Sequence, residues 1–403
     1  MDEILIVGGG IGGLTLALEL ARRDIPHRVF EAAPEIRPVG VGVNLLPHST
    51  RILAGLGLEP ALARAAVATA ESHFYNRFGQ LIYQEPLGRA AGVDWPQFSI
   101  HRADLQAALL QRAGNVALGR QCTGFEQDGE GVTLRFADGS SARGAAAIGC
   151  DGIHSMLRRQ LHPGDGAPRY SGVNMWRGVT RWPAFLGGAT MVRAGWLATG
   201  KMVIYPIRTH GDGTQLLNWV FELETPHYQQ WDWNRQARIE DFCAHVTGWK
   251  FDWLDIPALL RAADTVLEYP MVDKDPLARW TFGRVTLLGD AAHPMVPRGS
   301  NGAGQAILDA HALAACLGRE REPAAALAAY EAERLGPTTR VVLENRRNPP
   351  DAILREVYER TGDRPFARIE DVIDVVELRA ISERYKRVAG YDRDALTRKE
   401  ATQ

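Results

Sequence analysis

Gly8, Gly10 and Gly13 stand in a Gly-x-Gly-x-x-Gly spacing directly after the apolar run Ile4-Leu5-Ile6-Val7, with Gly12 among them. Such a turn sets backbone amides against a phosphate. Gly8 permits the sharp bend, Gly10 lets the main chain approach a pyrophosphate, and Gly13 lets the following helix lie close on the strand. The helix N-terminus adds unpaired N–H groups and a positive dipole. Glu31, eighteen residues after Gly13, closes the next apolar run where an acid accepts from both ribose hydroxyls. A carboxylate there repels a 2′-phosphate, so the resident ligand is FAD or NAD rather than NADP.

A second carboxylate narrows the choice. Asp290 ends the apolar run Val285-Thr286-Leu287-Leu288, and the chain continues through Ala291-Ala292-His293-Pro294 into the loop Pro297-Arg298-Gly299-Ser300-Asn301-Gly302. With Glu31 on one ribose and Asp290 offering acceptors to a second polyol, the ligand must be long. FAD, with an adenosine ribose at one end and a ribityl chain at the other, has that shape. NAD does not account for the distant Gly-Asp strand end. Cys150-Asp151-Gly152 marks a third strand end leading into a helical turn.

These residues need a scaffold of strands and helices. Residues 1 to about 70 read as strand, helix, strand, the loop 38–43, and a helix around Ser49 to Leu56. Helical periodicity returns from Arg102 to Ala113, and Gly131 to Phe136, Asp138-Gly139 and Ala145 to Gly149 read as a hairpin followed by a buried strand. Strand-like segments rich in Trp, Val and Tyr fill residues 170–270, joined by His73-Phe74-Tyr75 and Leu81-Ile82-Tyr83. The chain re-enters the α/β layer at Arg284 to Leu288, forms a long helix from about Ala303 to Leu317, and breaks at Pro349-Pro350 before a separate C-terminal appendage.

Composition excludes several classes. The chain has 403 residues, 45% hydrophobic and 23% charged, enough for a large core in two domains. A net charge of -2 leaves no footprint for nucleic acid or an anionic membrane. The run from Ile4 to Ala21 holds five glycines and Glu19, so it is not a membrane span, and no basic signal-peptide start precedes it. A cytoplasmic location is the expectation. Cys122, Cys150, Cys243 and Cys316 are scattered without a Cys-x-x-Cys pair, and the eleven histidines show no ligand spacing. Reduced thiols and no metal are expected.

Taken together, the glycine turn, the Asp151-Gly152 element and the Gly289-Asp290-Ala291-Ala292-His293-Pro294 segment resemble the para-hydroxybenzoate-hydroxylase family of FAD-dependent aromatic monooxygenases, in order over residues 1–345. Further segments resemble its phenazine-hydroxylating members: Glu35-Ile36-Arg37-Pro38 with Gly40 to Asn44, Ser99 to Arg102, Met175 to Val179, Trp233-Asn234-Arg235 and Tyr269 to Asp273. The resemblance implies an α/β (α+β) fold: a Rossmann-like FAD-binding domain (1–70, 100–170, 271–345), an inserted antiparallel β-sheet substrate domain (71–99, 171–270) and a C-terminal helical segment (346–403). It implies that Arg102 contacts the FAD backbone, that Gly42 and Val43 border the isoalloxazine, and that the strand near Cys122 lends backbone groups to adenine. Asp290 would hold the ribityl chain, with Gly299, Asn301 and Gly302 approaching the flavin pyrimidine.

The implied reaction is hydroxylation of a small aromatic or N-heteroaromatic substrate, phenazine-like or carboxylated, by O2 through a flavin C4a-hydroperoxide. No second glycine fingerprint follows a strand, so NADH or NADPH is a transient co-substrate. The protein would work as a monomer or homodimer. A flavin dehydrogenase or oxidase without oxygen insertion, and a non-catalytic flavin-binding protein, are the alternatives. Tyr205, ending an apolar strand, is either a hydrogen-bonding partner of a substrate hydroxyl or a packing residue. Arg298 either pairs bidentately with a substrate carboxylate or is a solvated loop residue. Trp176, Trp219 and Pro297 are further substrate candidates, the tryptophans alternatively filling the sheet–helix core. His293 suits a structural role better than a general base, and Trp231-Asp232-Trp233 lacks the Ile-Pro continuation of flavin halogenases.

Overall fold

The computed structural model describes residues 3–35, 40–114, 116–225 and 235–397. The segments Glu35 to Pro38, Trp231-Asp232-Trp233 and Trp233-Asn234-Arg235 singled out in the sequence therefore lie wholly or partly outside the described residues. Ile4–Val7 is buried along its whole length because it is the middle strand of a five-stranded parallel sheet covered on both faces. The order is Val285–Leu287, Ala146–Gly149, Ile4–Val7, His27–Phe30 and Val116–Ala117. On one side the helix Ile11–Ala21 packs between Arg102–Ala113 and Gly302–Arg319. The antiparallel strands Cys122–Gln127, Val132–Phe136 and Ser141–Gly144 join the same core, with the rings of Phe30 and Phe136 4.7 Å apart.

The second layer is an eight-stranded sheet. Its order is Arg235–Ala237, Val266–Asp273, Arg169–Pro183, Thr214–Glu224, Gly200–Thr209, Thr190–Trp196, Glu71–Tyr75 and Leu81–Pro86. It differs from the fully antiparallel sheet read in the sequence, because Thr190–Trp196 and Glu71–Tyr75 run parallel. The chain between them passes through the nucleotide layer, the long crossover that a parallel pair requires. Register fixes the two faces: Tyr205 pairs with Asn218, Lys201 with Glu222 and Arg177 with Val220. Alternation therefore sends the side chains at 201, 203, 205, 218, 220, 222, 175 and 177 to one face and Trp176, Ile204, Trp219 and Phe221 to the other.

Behind Pro349-Pro350 the chain does not stand apart as an appendage. Ile353, Leu354 and Val357, from the helix Ala352–Thr361, are buried with Phe74, Met175, Val220 and Met271 of the sheet. Each fully buried aliphatic side chain contributes roughly 1.5–3 kcal/mol, so this segment is an integral layer over the sheet. The break itself is local: the helix Pro323–Arg347 stops two residues before the prolines and the next helix starts two residues after them.

Candidate active site

The glycine turn is tightly built. Gly8 has φ +110°, and a Cβ there would lie 2.3 Å from the Cys150 carbonyl oxygen, while one on Gly13 would lie 2.0 Å from the Gly8 oxygen. Only glycine lets the first helix seat against the strand ends so closely. Nothing occupies the space a Cβ on Gly10 would take, and Gly10, Ile11 and Gly12 line a cavity of about 350 Å³. The Glu31 carboxylate accepts hydrogen bonds from the Gly9 amide (2.7 Å) and the Ala33 amide (2.9 Å) beside this opening.

Asp290 opens into the same cavity from a turn, Gly289–Ala291, whose position is fixed from beneath. Asp309 accepts from the Gly289 amide (3.1 Å), is bonded to His293 Nε2 (2.5 Å) and accepts from Arg334 Nε (2.8 Å). Arg158 donates to the carbonyls of Ala291 (3.1 Å) and Ala292 (3.0 Å) while paired with Asp165. Asp290 thus stays enclosed by protein yet open to the cavity. The enclosure pushes its carboxyl up, against the opposing charges of His293 and Arg102. Asp151 turns the other way, capping Met156–Leu161 through the Met156 amide at 2.7 Å, and Gly152 takes the cavity side.

The remaining wall comes from the eight-stranded sheet and the 296–302 loop. Gly42 is where the layers meet: its amide donates to Asn218 Oδ1 (2.7 Å), and a Cβ would lie 2.7 Å from the Tyr205 ring. Burial pushes the Tyr205 phenol up, with Arg177 and Asn44 beside it pulling the other way. Val203, Val220 and Met175 give this wall its apolar part, and Pro297, Arg298, Ser300 and Asn301 close it. Asn301 Oδ1 accepts from His48 Nε2 at 3.0 Å, and burial pushes the His48 imidazole down to about 4.

One cavity therefore joins two helix N-termini, at Gly10 to Gly12 and at Gly302 and Ala303, to an open carboxylate, Asp290. That donor set fits an extended dinucleotide with an anionic middle and a polyol. Residues 1–345 match the family described as FAD binding domain. The chain belongs to this family. It is 39% identical to phenazine 1,6-dicarboxylic acid hydroxylase PhzS of Lysobacter antibioticus, over 96% of this chain and 97% of that one. It is 31% identical to 6-hydroxynicotinate 3-monooxygenase of Bordetella bronchiseptica, over 84% and 89%. The structure of Klebsiella pneumoniae HpxO complexed with FAD and uric acid superposes with a TM-score of 0.77 at 25% identity, covering 98% of this chain and 96% of that one. A salicylate hydroxylase substrate complex gives 0.75 at 26%, covering 98% and 97%. The chain is an FAD-dependent aromatic monooxygenase.

The cavity gathers most of the site residues singled out in the sequence. The structure brings Gly10, Gly12, Gly42, Val43, Arg102, Asp290, Asn301, Gly302, Tyr205, Pro297 and Arg298 to its wall. Gly8 and Gly13 build the glycine turn behind that wall, and Glu31 braces it through the Gly9 amide. Cys122 is in the core, its thiol pushed up to about 11 by burial, and it does not line the cavity. Gly299 faces away, toward Tyr385 and Asn345. Trp176 and Trp219 are not substrate residues but take the core alternative: both lie on the opposite face of the sheet, Trp176 stacked on Phe242 (5.2 Å) and Trp219 donating to Thr180 (3.0 Å). His293 is buried under the Asp290 turn, not in the cavity.

The sequence reading missed Arg177, Arg193, Lys201 and Glu222 on the cavity wall, and Asp351 behind them. Lys201 carried a signal, since it is four residues from Tyr205 and so on the same face of one strand. Arg193 and Asp351 carried none, because only the tertiary fold brings their segments together.

Proposed function

We propose that this monooxygenase hydroxylates a small planar aromatic or N-heteroaromatic acid, taking reducing equivalents from NADH or NADPH that visits the surface transiently. The observation that carries the reading is the shared cavity: the Asp290 turn and the 297–302 loop with Arg298 face Tyr205 and Arg177 across one space. FAD, when bound and reduced, supplies the oxygen-activating chemistry. The chain supplies position, charge and dryness. Gly10 to Gly12 and Arg102 would hold the pyrophosphate side and Asp290 the ribityl hydroxyls, with the N-terminus of Gly302–Arg319 aimed at the negative end of the flavin. Tyr205, kept protonated by burial, is a hydrogen-bond donor to a substrate oxygen. Val203, Val220 and Met175 exclude water beside it. The Lysobacter and Bordetella relatives are named for aromatic substrates bearing carboxyl groups, which supports an acid here.

A cytoplasmic location is supported by four thiols, Cys122, Cys150, Cys243 and Cys316, none of them in a disulfide. Among the described residues no helix is long and apolar enough to cross a membrane.

The test is substrate-stimulated NAD(P)H oxidation with mass spectrometry of the product. A product heavier by one oxygen is expected. Oxidation that yields only peroxide with every aromatic acid tried would refute hydroxylation and favour an oxidase. Asp290→Ala is expected to bind FAD at least ~10-fold more weakly, since one charge-assisted hydrogen bond is worth about 1.5–3 kcal/mol. Undiminished flavin absorbance in the purified variant would remove Asp290 from the cofactor site.

A further inference from the structure

Four residues along the strand from Tyr205, roughly 13 Å at about 3.3 Å per residue, the cavity wall changes from apolar to charged. Lys201 is fully buried there, with Nζ 2.8 Å from Glu222 Oε2 and also bonded to Asp351. Arg193 Nε lies 3.4 Å from Asp351 Oδ1, and Arg298 Nε lies 3.6 Å from its Oδ2. Both guanidiniums are held in place: Arg193 donates to Ser72 Oγ (2.6 Å), and Arg298 lies over the Trp196 ring at 5.4 Å. Three fixed cations thus face two carboxylates, leaving one positive charge in excess inside the protein. Burying an uncompensated charge costs several kcal/mol, and an arriving anion would offset that cost. Arg298 Nε is enclosed and makes no hydrogen bond, so a donor remains for one.

Asp351 does not behave as an ordinary helix cap. It is the residue before Ala352–Thr361, where an aspartate usually folds its carboxylate onto the amides of the first turn. Here it makes no such bond, and the carboxylate points instead into the cation cluster. Burial would raise its carboxyl, but Lys201, Arg298 and Arg193 together outweigh that and hold it below the ordinary carboxylate range.

We propose that Lys201, Arg193 and Arg298 form a binding site for a single carboxylate on the aromatic substrate, and that Asp351 is the resident counter-ion that sets its charge. This rests on the aromatic-hydroxylase reading and adds an orientation: carboxylate at Lys201 and Arg298, ring toward Tyr205. Asp351 tempers the site, neutralising one cation so that one substrate carboxylate completes the balance. The C-terminal segment therefore tunes which substrates enter.

The test uses FAD-loaded protein and two acid–amide pairs: phenazine-1-carboxylate with phenazine-1-carboxamide, and 3-hydroxybenzoate with 3-hydroxybenzamide. Affinity is read from the change in flavin absorbance on binding, without turnover. In the unsubstituted protein the acid of at least one pair is expected to bind about 10-fold tighter than its amide, the worth of one charge-assisted hydrogen bond. Lys201→Met should erase most of that preference. Asp351→Asn should raise it several-fold, because the site loses its internal competitor. Arg298→Gln, on the loop rather than the buried strand, should lower it and serves as a second reading where the buried variants lose FAD. Equal binding of acid and amide in the unsubstituted protein, or no binding of either acid, would overturn the proposal. So would an unchanged preference in Asp351→Asn that still holds FAD. Because binding is read without turnover, failure to oxygenate the probes would count against the hydroxylase reading alone.

Discussion

Gly299→Ala is the sharpest perturbation the structure offers. A Cβ at Gly299 would lie 1.7 Å from the Tyr385 hydroxyl oxygen and 2.4 Å from Asn345 Oδ1. These two groups are fully buried and bonded to each other at 2.7 Å, and Asn345 Nδ2 donates to the Val296 carbonyl at 3.3 Å. A methyl group needs about 3.5–4 Å from its neighbours, so the hydroxyl must withdraw by ~2 Å and the bond breaks. Leaving buried polar atoms unpaired costs about 1–3 kcal/mol, and overpacking adds about 1–3 kcal/mol, giving roughly 2–6 kcal/mol in all. The assay is urea unfolding of Gly299→Ala, Tyr385→Phe and the double variant. Phenylalanine removes the atom at 1.7 Å but leaves Cζ at 2.6 Å, so the double variant should be less destabilised than the sum, by about 1 kcal/mol or more. Additivity within about 0.5 kcal/mol, or an unchanged midpoint in Gly299→Ala, would show that the helix Val375–Ala389, which carries Tyr385, does not brace the 296–302 loop.

Three further outcomes follow from named contacts. His48 is held down to about 4 from its ordinary 6.5, so between those values the unfolded chain takes up a proton the folded one refuses. Stability should therefore fall as pH drops from 6.5 toward 4, by up to about 1.4 kcal/mol per pH unit from this group, and His48→Gln should flatten that slope in unfolding measured at pH 5 and 6. An identical slope would refute the assignment. Arg158→Met should lower the urea midpoint by the equivalent of about 3 kcal/mol, the low end for a broken buried pair, because Asp165 keeps Lys274; an unchanged midpoint would mean Arg158 does not tie the Asp290 turn down. Gly42→Ala should cost about 1–3 kcal/mol by overpacking and raise KM for the aromatic substrate, since the new methyl would meet the Tyr205 ring at 2.7 Å; unchanged KM and melting temperature would refute it.

The parts of the molecule that were legible in sequence are those written by consecutive residues. The strand Ile4–Val7, the turn after it and the helix Arg102–Ala113 each follow from local spacing, and the helix read from Ala303 to Leu317 appears as Gly302–Arg319. Trp176 and Trp219, read as substrate candidates or core residues, are core residues, on the apolar face they share with Ile204 and Phe221, while the cavity face carries Lys201, Asn218 and Glu222. What separates them from Tyr205 is register: Tyr205 pairs with Asn218, so Trp219 necessarily points the other way. Register depends on which strands pair, and no local pattern states that. The parallel pair at Glu71–Tyr75 escaped for the same reason, since it joins segments more than a hundred residues apart.

The charged end of the cavity was the least legible part, and the reason is physical. A lysine on a strand reads as surface, because burying an unpaired ammonium is prohibitive; only its partners make it a core residue. Those partners are Glu222 on the neighbouring strand and Asp351, 150 residues away. Asp351 also lies beyond residues 1–345, the span that matches the FAD binding domain family. On the reading proposed above, one of the residues that set substrate charge thus comes from outside the stretch that matches the family. The glycine turn and the Asp290 turn sit at strand ends of the parallel sheet, where nearly any change disturbs the nucleotide. Lys201 and Arg193 sit on a face of the eight-stranded sheet and Asp351 at a helix start. Compensating changes can alter the sign or number of those charges while leaving the cofactor site intact, so members of one family can keep the same oxygen chemistry and differ in the acids they accept.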